Sequence, residues 1–227
     1  MKRIILISGG SDGLGKVAAE KLSKKYKVVI LARDIQKAIR AAKQIGCDFV
    51  IADVTDYGQL NAAVSSVIKK YGRIDYLINN AGVWIEGPLE TNDPEQIKRV
   101  FDVNTTGTVF LTRAVLPYMK KAKRGRIINV ISQAGLAAKS DRSVYNASKW
   151  AITGFTKSLA AELIGSNITV AGFYPGSMKT NLFSKAGVKK DLSKSMKLSD
   201  VVKAIEFIVE TPEDLTVPEL GIKPAWY

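Results

Sequence analysis

A tyrosine and a lysine stand four residues apart in the segment Ser143–Trp150, which reads SVYNASKW. On a helix, residues at this spacing share one face, so Tyr145 and Lys149 can lie side by side. A free tyrosine has a pKa of about 10, which is too high for efficient proton transfer near neutral pH. A neighbouring ammonium stabilises the phenolate and lowers that pKa. The pair therefore predicts an acid–base unit, although this spacing is common and is weak support when taken alone.

The composition leaves few alternatives to a tyrosine catalyst. The chain has no histidine and a single cysteine, Cys47. A Cys/His zinc site therefore lacks ligands, and a Ser-His-Asp or Cys-His nucleophile lacks its base. A metal site made only of carboxylates stays possible, but no paired Asp/Glu constellation indicates one. We expect no metal, and an acid–base group drawn from Tyr, Lys, Asp, Glu or Cys47.

The net charge of +13 allows three interpretations. It could be an ordinary solvated surface, or it could attract anionic small molecules or an acidic carrier protein. Nucleic-acid binding is the third interpretation and is not favoured, because the basic residues are dispersed and no nucleic-acid motif accompanies them. Two local concentrations stand out, Lys120–Arg124 and the lysines of Ser184–Lys197.

Short β-branched runs alternate with longer amphipathic stretches along the whole chain. Strands are predicted over Lys2–Ile7, Val28–Leu31, Phe49–Ala52, Tyr76–Ile78, Arg126–Ile131, Ile168–Phe173 and Thr216–Ile222. Helices are predicted over Gly13–Lys25, Asp34–Ile45, Tyr57–Tyr71, Pro94–Lys120, Val144–Leu163 and Asp200–Glu210, the last capped by Ser199. This alternation predicts an α/β fold, a doubly wound parallel sheet of about seven strands with helices on both faces. We expect a single domain over residues 1–227, with its ligand crevice at the carboxyl ends of the strands.

The start of the chain resembles a signal peptide only superficially. Met1-Lys2-Arg3 is basic, but the apolar stretch Ile4–Ile7 is far too short for a signal h-region. No apolar run approaches the roughly 18 residues of a membrane span. We therefore expect a cytoplasmic protein that is not embedded in a membrane.

A glycine-rich turn follows the first strand. Gly9, Gly13 and Gly15 recur as G-x-x-x-G-x-G within Ser8–Gly15. Glycines allow a tight turn and close approach of the backbone to a diphosphate at the helix N-terminus. The second strand ends at Ala32-Arg33, and an arginine here accommodates the 2′-phosphate of NADP where NAD sites place an acid. We predict NADP(H) as the preferred cofactor, with NAD(H) possible; alternatively, Arg33 only caps a helix or pairs with Asp34.

Taken together, these motifs resemble the short-chain dehydrogenase/reductase family over almost the whole chain. The order and approximate spacing match, and each motif falls at a predicted strand end or helix start. The matching residues are Ser8–Gly15, Asp53-Val54, Asn79-Asn80-Ala81-Gly82, Asn104, Ser132, Tyr145 with Lys149, and Pro175-Gly176 with Thr180. The resemblance implies a Rossmann-type fold and hydride transfer between a nicotinamide cofactor and a carbonyl compound or alcohol.

The resemblance also implies catalytic roles. Tyr145 would exchange a proton with the substrate oxygen, and Ser132 would hydrogen-bond the same oxygen. Lys149 would lower the pKa of Tyr145 and bind the nicotinamide ribose, and Asn104 would hold a water that links Lys149 to solvent. The implied cofactor-binding residues are Gly9, Ser11, Asp12, Gly13, Leu14, Gly15, Arg33, Asp53, Val54, Asn80, Ala81, Gly82, Tyr145, Lys149, Pro175, Gly176 and Thr180.

The resemblance implies a small carbonyl compound or alcohol as substrate, and Trp84, Gln133 and Phe183 are the candidate pocket residues. The segment from Thr180 to Ser199 is short, which favours a small lid and an open site. One alternative is a 3-oxoacyl-carrier-protein reductase, with Lys185, Lys189, Lys190 and Lys194 facing an acidic acyl carrier protein. Another is a catalytically silent dinucleotide-binding scaffold or sensor. The resemblance further implies a homodimer or homotetramer assembled through the long helices after strands four and five.

Overall fold

Seven strands form one parallel sheet in the computed structural model, which describes residues 2–225. In chain order they are β1 (Ile4–Ser8), β2 (Lys27–Ala32), β3 (Asp48–Ile51), β4 (Tyr76–Asn79), β5 (Gly125–Val130), β6 (Ile168–Pro175) and β7 (Glu219–Ile222). Across the sheet the order is β3-β2-β1-β4-β5-β6-β7, and every neighbouring pair is parallel. The predicted doubly wound sheet is confirmed.

Eight α-helices surround the sheet in this part of the chain. They are α1 (Gly13–Ser23), α2 (Ile35–Ile45), α3 (Tyr57–Tyr71), α4 (Pro94–Phe101), α5 (Gly107–Ala122), α6 (Ser143–Glu162), α7 (Leu182–Lys185) and α8 (Leu198–Glu210). Apolar side chains of α1, α2 and α8 form one core layer with the sheet, and those of α3, α5 and α6 form the other. Because both faces are covered, the central strands are apolar on both sides, as in the fully buried β1.

Three aspartates fix where the helices begin along the carboxyl edge of the sheet. Asp12, Asp34 and Asp56 are the N-caps of α1, α2 and α3, and their carboxylates accept backbone N–H bonds at 2.7, 3.0 and 3.0 Å. Each cap satisfies a donor that the first helical turn leaves free. The loops after β1, β2 and β3 therefore end at defined points beside the crevice.

The sheet reverses its winding direction at β1. From β1 the chain continues to β2 on one side, whereas β4 lies on the other side and leads on to β5. Loops leaving neighbouring strands in opposite directions open a crevice between them. This crevice lies where β1 ends at Ser8 and β4 ends at Asn79, the positions that precede the glycine turn and the Asn80–Gly82 segment.

The predicted continuous helix Pro94–Lys120 is wrong in its middle. A π-helical turn over Asp102–Thr106 separates α4 from α5. Its wider winding turns Asn104 inward, where the amide oxygen accepts from the Val83 N–H at 2.8 Å. The amide nitrogen donates to the Val83 carbonyl at 3.0 Å and to the Ser148 hydroxyl at 3.2 Å. These three hydrogen bonds of the Asn104 side chain to other parts of the fold offset the free-energy cost of the irregular helical turn.

Other boundaries also differ from the sequence prediction. The last helix begins at Leu198 after Lys197, and the hydroxyl of Ser199 does not cap it. The last strand covers Glu219–Ile222 rather than Thr216–Ile222. The short helix α7 was not predicted, and neither were the 3-10 turns Leu89–Thr91 and Gln133–Gly135. No helix within residues 2–225 is both long enough and apolar enough to cross a membrane.

Candidate active site

A crevice with a cavity volume of about 510 Å³ follows the carboxyl edge of the sheet. All the site residues predicted from the sequence except two line it. Gly15 lies beneath the glycine turn, and Asn104 lies behind Gly82, 3.4 Å from the position that a Gly82 Cβ would occupy. The fold therefore collects segments from β1, β2, β4, β5, β6 and α6 into one elongated cavity.

Tyr145, Lys149 and Ser132 meet near the middle of this crevice. The ammonium of Lys149 is 5.8 Å from the centre of the Tyr145 ring, and it donates to the Val130 carbonyl at 3.3 Å. The side chain of Ser132 lies beside the Tyr145 hydroxyl, where it favours the phenolate and lowers the pKa of Tyr145. Tyr145 and Lys149 are 5% and 6% exposed, so both groups work in a nearly dry environment. The predicted phenol, ammonium and serine hydroxyl thus come from two elements, β5 and α6, into one place.

Ser132 adopts a strained backbone conformation with φ of 133°. This region is rare for residues other than glycine and requires surrounding contacts to hold it. The N–H of the preceding Ile131 donates to Phe173 at 2.7 Å, and the Ser132 carbonyl accepts from Gly135 at 2.9 Å. The strain aims the Ser132 side chain from the end of β5 toward Tyr145.

Burial changes the pKa values of Tyr145 and Lys149. For Tyr145, the change is opposite in direction to the one that the sequence predicts. Desolvation raises the pKa of Tyr145 to about 12, and the hydrogen bond from Ser132 and the charge of Arg142 only partly oppose it. Desolvation also lowers the pKa of Lys149 to about 8. The net pKa of Tyr145 therefore lies above its usual value, and the lowering of this pKa by Lys149 stays a prediction. At neutral pH the phenol keeps its proton, and Lys149 is still mostly an ammonium.

The glycine turn has the shape that a diphosphate requires. A Cβ on Gly15 would lie 2.4 Å from the Gly9 carbonyl oxygen, and Gly9 and Gly13 have φ of 65° and 53°. A Cβ on Gly13 would meet only Thr180, at 3.9 Å, so the cavity comes directly up to the backbone there. The turn opens α1, whose positive dipole end favours an anion. These features fit a dinucleotide along the crevice.

Arg33 and Asp53 meet at the far end of the crevice. Their guanidinium and carboxylate are 3.3 Å apart, and Arg33 stays largely exposed. Neither alternative for Arg33 holds, since Asp34 caps α2 and Arg33 pairs with Asp53. Asp53 accepts from the N–H and hydroxyl of Thr55 rather than capping a helix. Lys16, a second possible cation, instead bonds Gln44 at 2.6 Å.

The candidate substrate residues divide into two kinds. The ring centre of Trp84 lies 4.2 Å from that of Tyr145 and 4.8 Å from that of Phe183, so Trp84 covers the tyrosine and Phe183 packs on the indole. Gln133 lines the cavity, but its amide donates to the Tyr174 carbonyl at 2.7 Å and so anchors β6. Within the segment from Thr180 to Ser199, α7 brings Phe183 onto Trp84, and the open site predicted from the short length of this segment stays a prediction.

Sequence reasoning missed the charged residues that surround Trp84. The guanidinium of Arg142 lies 5.3 Å from the Trp84 ring centre, and the Lys190 ammonium lies 5.4 Å from it. Arg142 donates to one carboxylate oxygen of Glu86 at 2.8 and 2.9 Å. Arg142 stands three residues before Tyr145, so one helical turn could have suggested it, whereas nothing in the sequence places Lys190 or Glu86 here.

Comparisons with known proteins agree with this geometry. The family model for short chain dehydrogenases matches residues 3–191. The trans-4-hydroxycyclohexanecarboxylate dehydrogenase of Sinomonas cyclohexanicum is 36% identical over 201 residues, which cover 83% of this chain and 76% of that protein.

Two solved structures superpose along nearly the full chain. The 3-ketoacyl-(acyl-carrier-protein) reductase of Brucella melitensis complexed with NADH has a TM-score of 0.91 at 28% identity, covering 98% of this chain and 97% of its own. An actinorhodin polyketide ketoreductase with NADPH also has a TM-score of 0.91, at 25% identity, covering 98% and 96%.

A parallel sheet with a glycine turn at its switch point, and a Tyr–Lys pair beside that turn, defines an oxidoreductase that uses a nicotinamide dinucleotide. The chain belongs to the short-chain dehydrogenase family, whose members act on alcohol and carbonyl groups.

Proposed function

We propose that this protein reduces a ketone or aldehyde to an alcohol with NADPH, and that Tyr145 is the proton donor. The convergence of Tyr145, Ser132 and Lys149 in the buried crevice carries the proposal. A bound NADP(H) would supply or accept the hydride. The side chains of the protein then have to transfer one proton and stabilise one developing negative charge on the substrate oxygen.

Ser132 and Tyr145 act on the same substrate oxygen in different ways. Both hydroxyls can donate to one carbonyl oxygen, which polarises the carbonyl before the hydride arrives. Tyr145 then gives its proton to the alkoxide, and its high pKa in the ligand-free protein keeps that proton in place at neutral pH. The Lys149 ammonium stabilises the phenolate that remains. Such an arrangement favours reduction over oxidation near pH 7.

The preference for NADPH rests on Arg33. Its exposed guanidinium stands at the end of β2 beside Asp53, where the adenosine ribose would lie. A 2′-phosphate there would gain a charge-assisted bond from Arg33. The solved relatives hold NADH in one case and NADPH in the other, so they support either cofactor.

Turnover by a Tyr145→Phe variant tests the proposed catalyst. The wild-type protein is expected to consume NADPH with small ketones and aldehydes, and the variant should lose at least ~10²-fold in kcat because the phenol is the only proton donor assigned at the substrate oxygen. NADPH binding, measured by titration, should stay within about threefold of wild type. Normal turnover in the variant would remove Tyr145 from the mechanism.

Two alternatives depend on different observations. A 3-oxoacyl-carrier-protein reductase agrees with the relative from Brucella melitensis, but the predicted basic docking surface is only partly present. Lys189 and Lys194 are exposed, whereas Lys185 binds Asp12 and Lys190 lies over the Phe183 ring at 4.4 Å. A silent scaffold would bind NADPH and turn over no carbonyl compound.

Cytoplasmic location and assembly as a homodimer or homotetramer through α5 and α6 stay predictions.

A further inference from the structure

The loop formed by residues 180–195 is closed at its base and extends along the crevice. At the base, the Met196 N–H donates to the Ser177 carbonyl at 3.0 Å, and the Lys179 N–H donates to the Met196 carbonyl at 3.0 Å. The hydroxyls of Ser177 and Ser195 also hydrogen-bond at 2.8 Å. Because its base is fixed, the loop holds α7 at a defined place beside the cavity.

Helix α7 contacts two walls of the crevice. Phe183 packs on Trp84 with 4.8 Å between the ring centres. Lys185 stands two residues later, which is about 200° around a helix, so it points away from Phe183. Its ammonium lies 2.5 Å from a carboxylate oxygen of Asp12 in the glycine turn. The loop thus brings a cation to the turn after β1, 173 positions away in the chain.

The Asp12 carboxylate is held by two donors of the kind that phosphates use. One oxygen accepts from the Gly13 N–H at 2.7 Å, and the other accepts from Lys185. The bond from Lys185 is the main reason why the pKa of Asp12 lies below its usual value, so this carboxylate is ionised at neutral pH. Asp12, Gly13 and Lys185 all line the cavity. A carboxylate of the protein therefore occupies an ammonium and a backbone N–H where the glycine turn faces the cavity.

The ion pair between Lys185 and Asp12 is exposed, which makes it easy to exchange. The Lys185 side chain is 54% exposed and that of Asp12 is 39% exposed. Ion pairs at this exposure contribute little to stability, because water screens the charges and fixing a long side chain costs entropy. A phosphate group carries up to about two negative charges, against one on Asp12, and offers several acceptor oxygens. A phosphate that enters the crevice therefore competes well for the ammonium.

We propose that Lys185 is a phosphate-binding residue of the dinucleotide site, and that Asp12 holds its ammonium in place until the dinucleotide binds. The phosphate is either the diphosphate, which fits the glycine turn, or the 2′-phosphate of NADPH. Lysine binds phosphates as a point charge on a flexible stem, so the ammonium of Lys185 reaches a phosphate without movement of α7. This inference rests on the proposed function for the dinucleotide only and does not depend on Tyr145 as the proton donor.

Dinucleotide binding in the absence of substrate tests the inference. Calorimetric titration of Lys185→Gln with NADPH at low salt should give a Kd about tenfold above that of the wild type, because one charge-assisted bond to phosphate is lost. Raising the salt should shrink this difference. Lys189→Gln is the matched control, because it removes the same charge from the same loop at an exposed residue outside the cavity lining. Its Kd should stay within about twofold of the wild type.

The same titration with NADH identifies the phosphate that Lys185 binds. Equal losses for NADPH and NADH assign Lys185 to the diphosphate, whereas a loss for NADPH alone assigns it to the 2′-phosphate, and both results support the inference. At saturating NADPH, Lys185→Gln should keep the wild-type kcat, because the residue acts on dinucleotide binding and not on the proton. A lower kcat with an unchanged Kd would contradict the inference.

Asp12→Asn separates phosphate binding from simple neutralisation of Asp12. Asparagine keeps the helix cap without the charge, so this variant should bind NADPH at least as tightly as the wild type. Adding Lys185→Gln to Asp12→Asn should again weaken binding about tenfold. If Lys185 only neutralises Asp12, the loss caused by Lys185→Gln disappears in the Asp12→Asn background, and the inference is overturned.

Two outcomes distinguish this inference from the proposed function. A Kd difference between the wild type and Lys185→Gln, without carbonyl turnover by either protein, would defeat the reductase proposal and leave Lys185 as a phosphate ligand. Normal turnover, with Kd values of Lys185→Gln for both dinucleotides within about twofold of the wild type, would overturn the inference alone and reduce the Asp12–Lys185 pair to a surface contact.

Discussion

Replacing Lys149 by methionine should make the folded protein more stable at neutral pH while it removes activity. Lys149 lies in a nearly dry site, and burial lowers its pKa from 10.5 to about 8. A shift of this size corresponds to about 3 kcal/mol that the folded protein loses by holding the ammonium at pH 7. Methionine has a similar length and needs no hydration.

The expected change in unfolding free energy for Lys149→Met is the sum of two contributions. The variant recovers about 3 kcal/mol of desolvation and loses the bond to the Val130 carbonyl, which contributes about 1 kcal/mol. We therefore expect a net gain of about 2 kcal/mol at pH 7, or a rise in Tm of about 4–8 °C for a chain of this size.

The pH dependence identifies the cause. Because the folded pKa lies below the unfolded value, the unfolded chain binds the proton more tightly, and the penalty is complete below about pH 8. It fades as pH rises toward 10.5, since both states then release the proton. The difference in unfolding free energy between variant and wild type should therefore shrink between pH 8 and 10.5.

Urea unfolding of both proteins from pH 7 to 10 measures this difference. Lys157→Met provides the matched control, because Lys157 lies on the same helix, is exposed and pairs with Glu219 at 2.9 Å. That control should change stability by less than about 0.5 kcal/mol at all pH values. The reasoning is refuted if Lys149→Met is less stable than wild type at pH 7, or if its advantage does not change with pH.

Two further predictions concern the cofactor and the direction of reaction. Arg33→Ala should raise the KM for NADPH about tenfold while the KM for NADH changes less than about twofold, because the lost bond serves the 2′-phosphate alone; equal effects on both cofactors in steady-state kinetics would exclude that role. Alcohol oxidation should accelerate about tenfold between pH 7 and 8 and level off above that, because proton uptake needs the phenolate of Tyr145, whose pKa is about 12, and Lys149 loses the stabilising ammonium above about pH 8. Carbonyl reduction should lack this rise, and matching initial-rate profiles in the two directions would contradict it.

The fold was predictable because its determinants are local. Buried β-branched strands such as β1 and the Asp-capped helices α1 to α3 follow short-range rules of pattern and capping. The spacing of Tyr145 and Lys149 likewise fixes their common face once α6 forms. Each of these features needs only a few neighbouring residues.

Other features depend on contacts that the sequence does not display. The π-helical turn at Asp102–Thr106 is stabilised by Val83 and Ser148, which lie 21 and 44 residues from Asn104. Burial raises the pKa of Tyr145, and part of that burial comes from Trp84, which lies in the loop after β4 and is held by Phe183 of α7. The inward position of Lys190 depends on the same packing. Local sequence patterns do not reveal which distant residues will bury one another in the folded protein.

The wide turn between α4 and α5 also governs how this segment can vary in length. One residue fewer between Asp102 and Thr106 would allow regular α-helical winding, and everything on its N-terminal side would then rotate by about 100°. The amide of Asn104 would leave Val83, and the loop that carries Trp84 would lose its anchor to the helix. Homologous chains that retain this pocket should thus tolerate insertions in the nearby loops far better than a single deletion inside this helical segment.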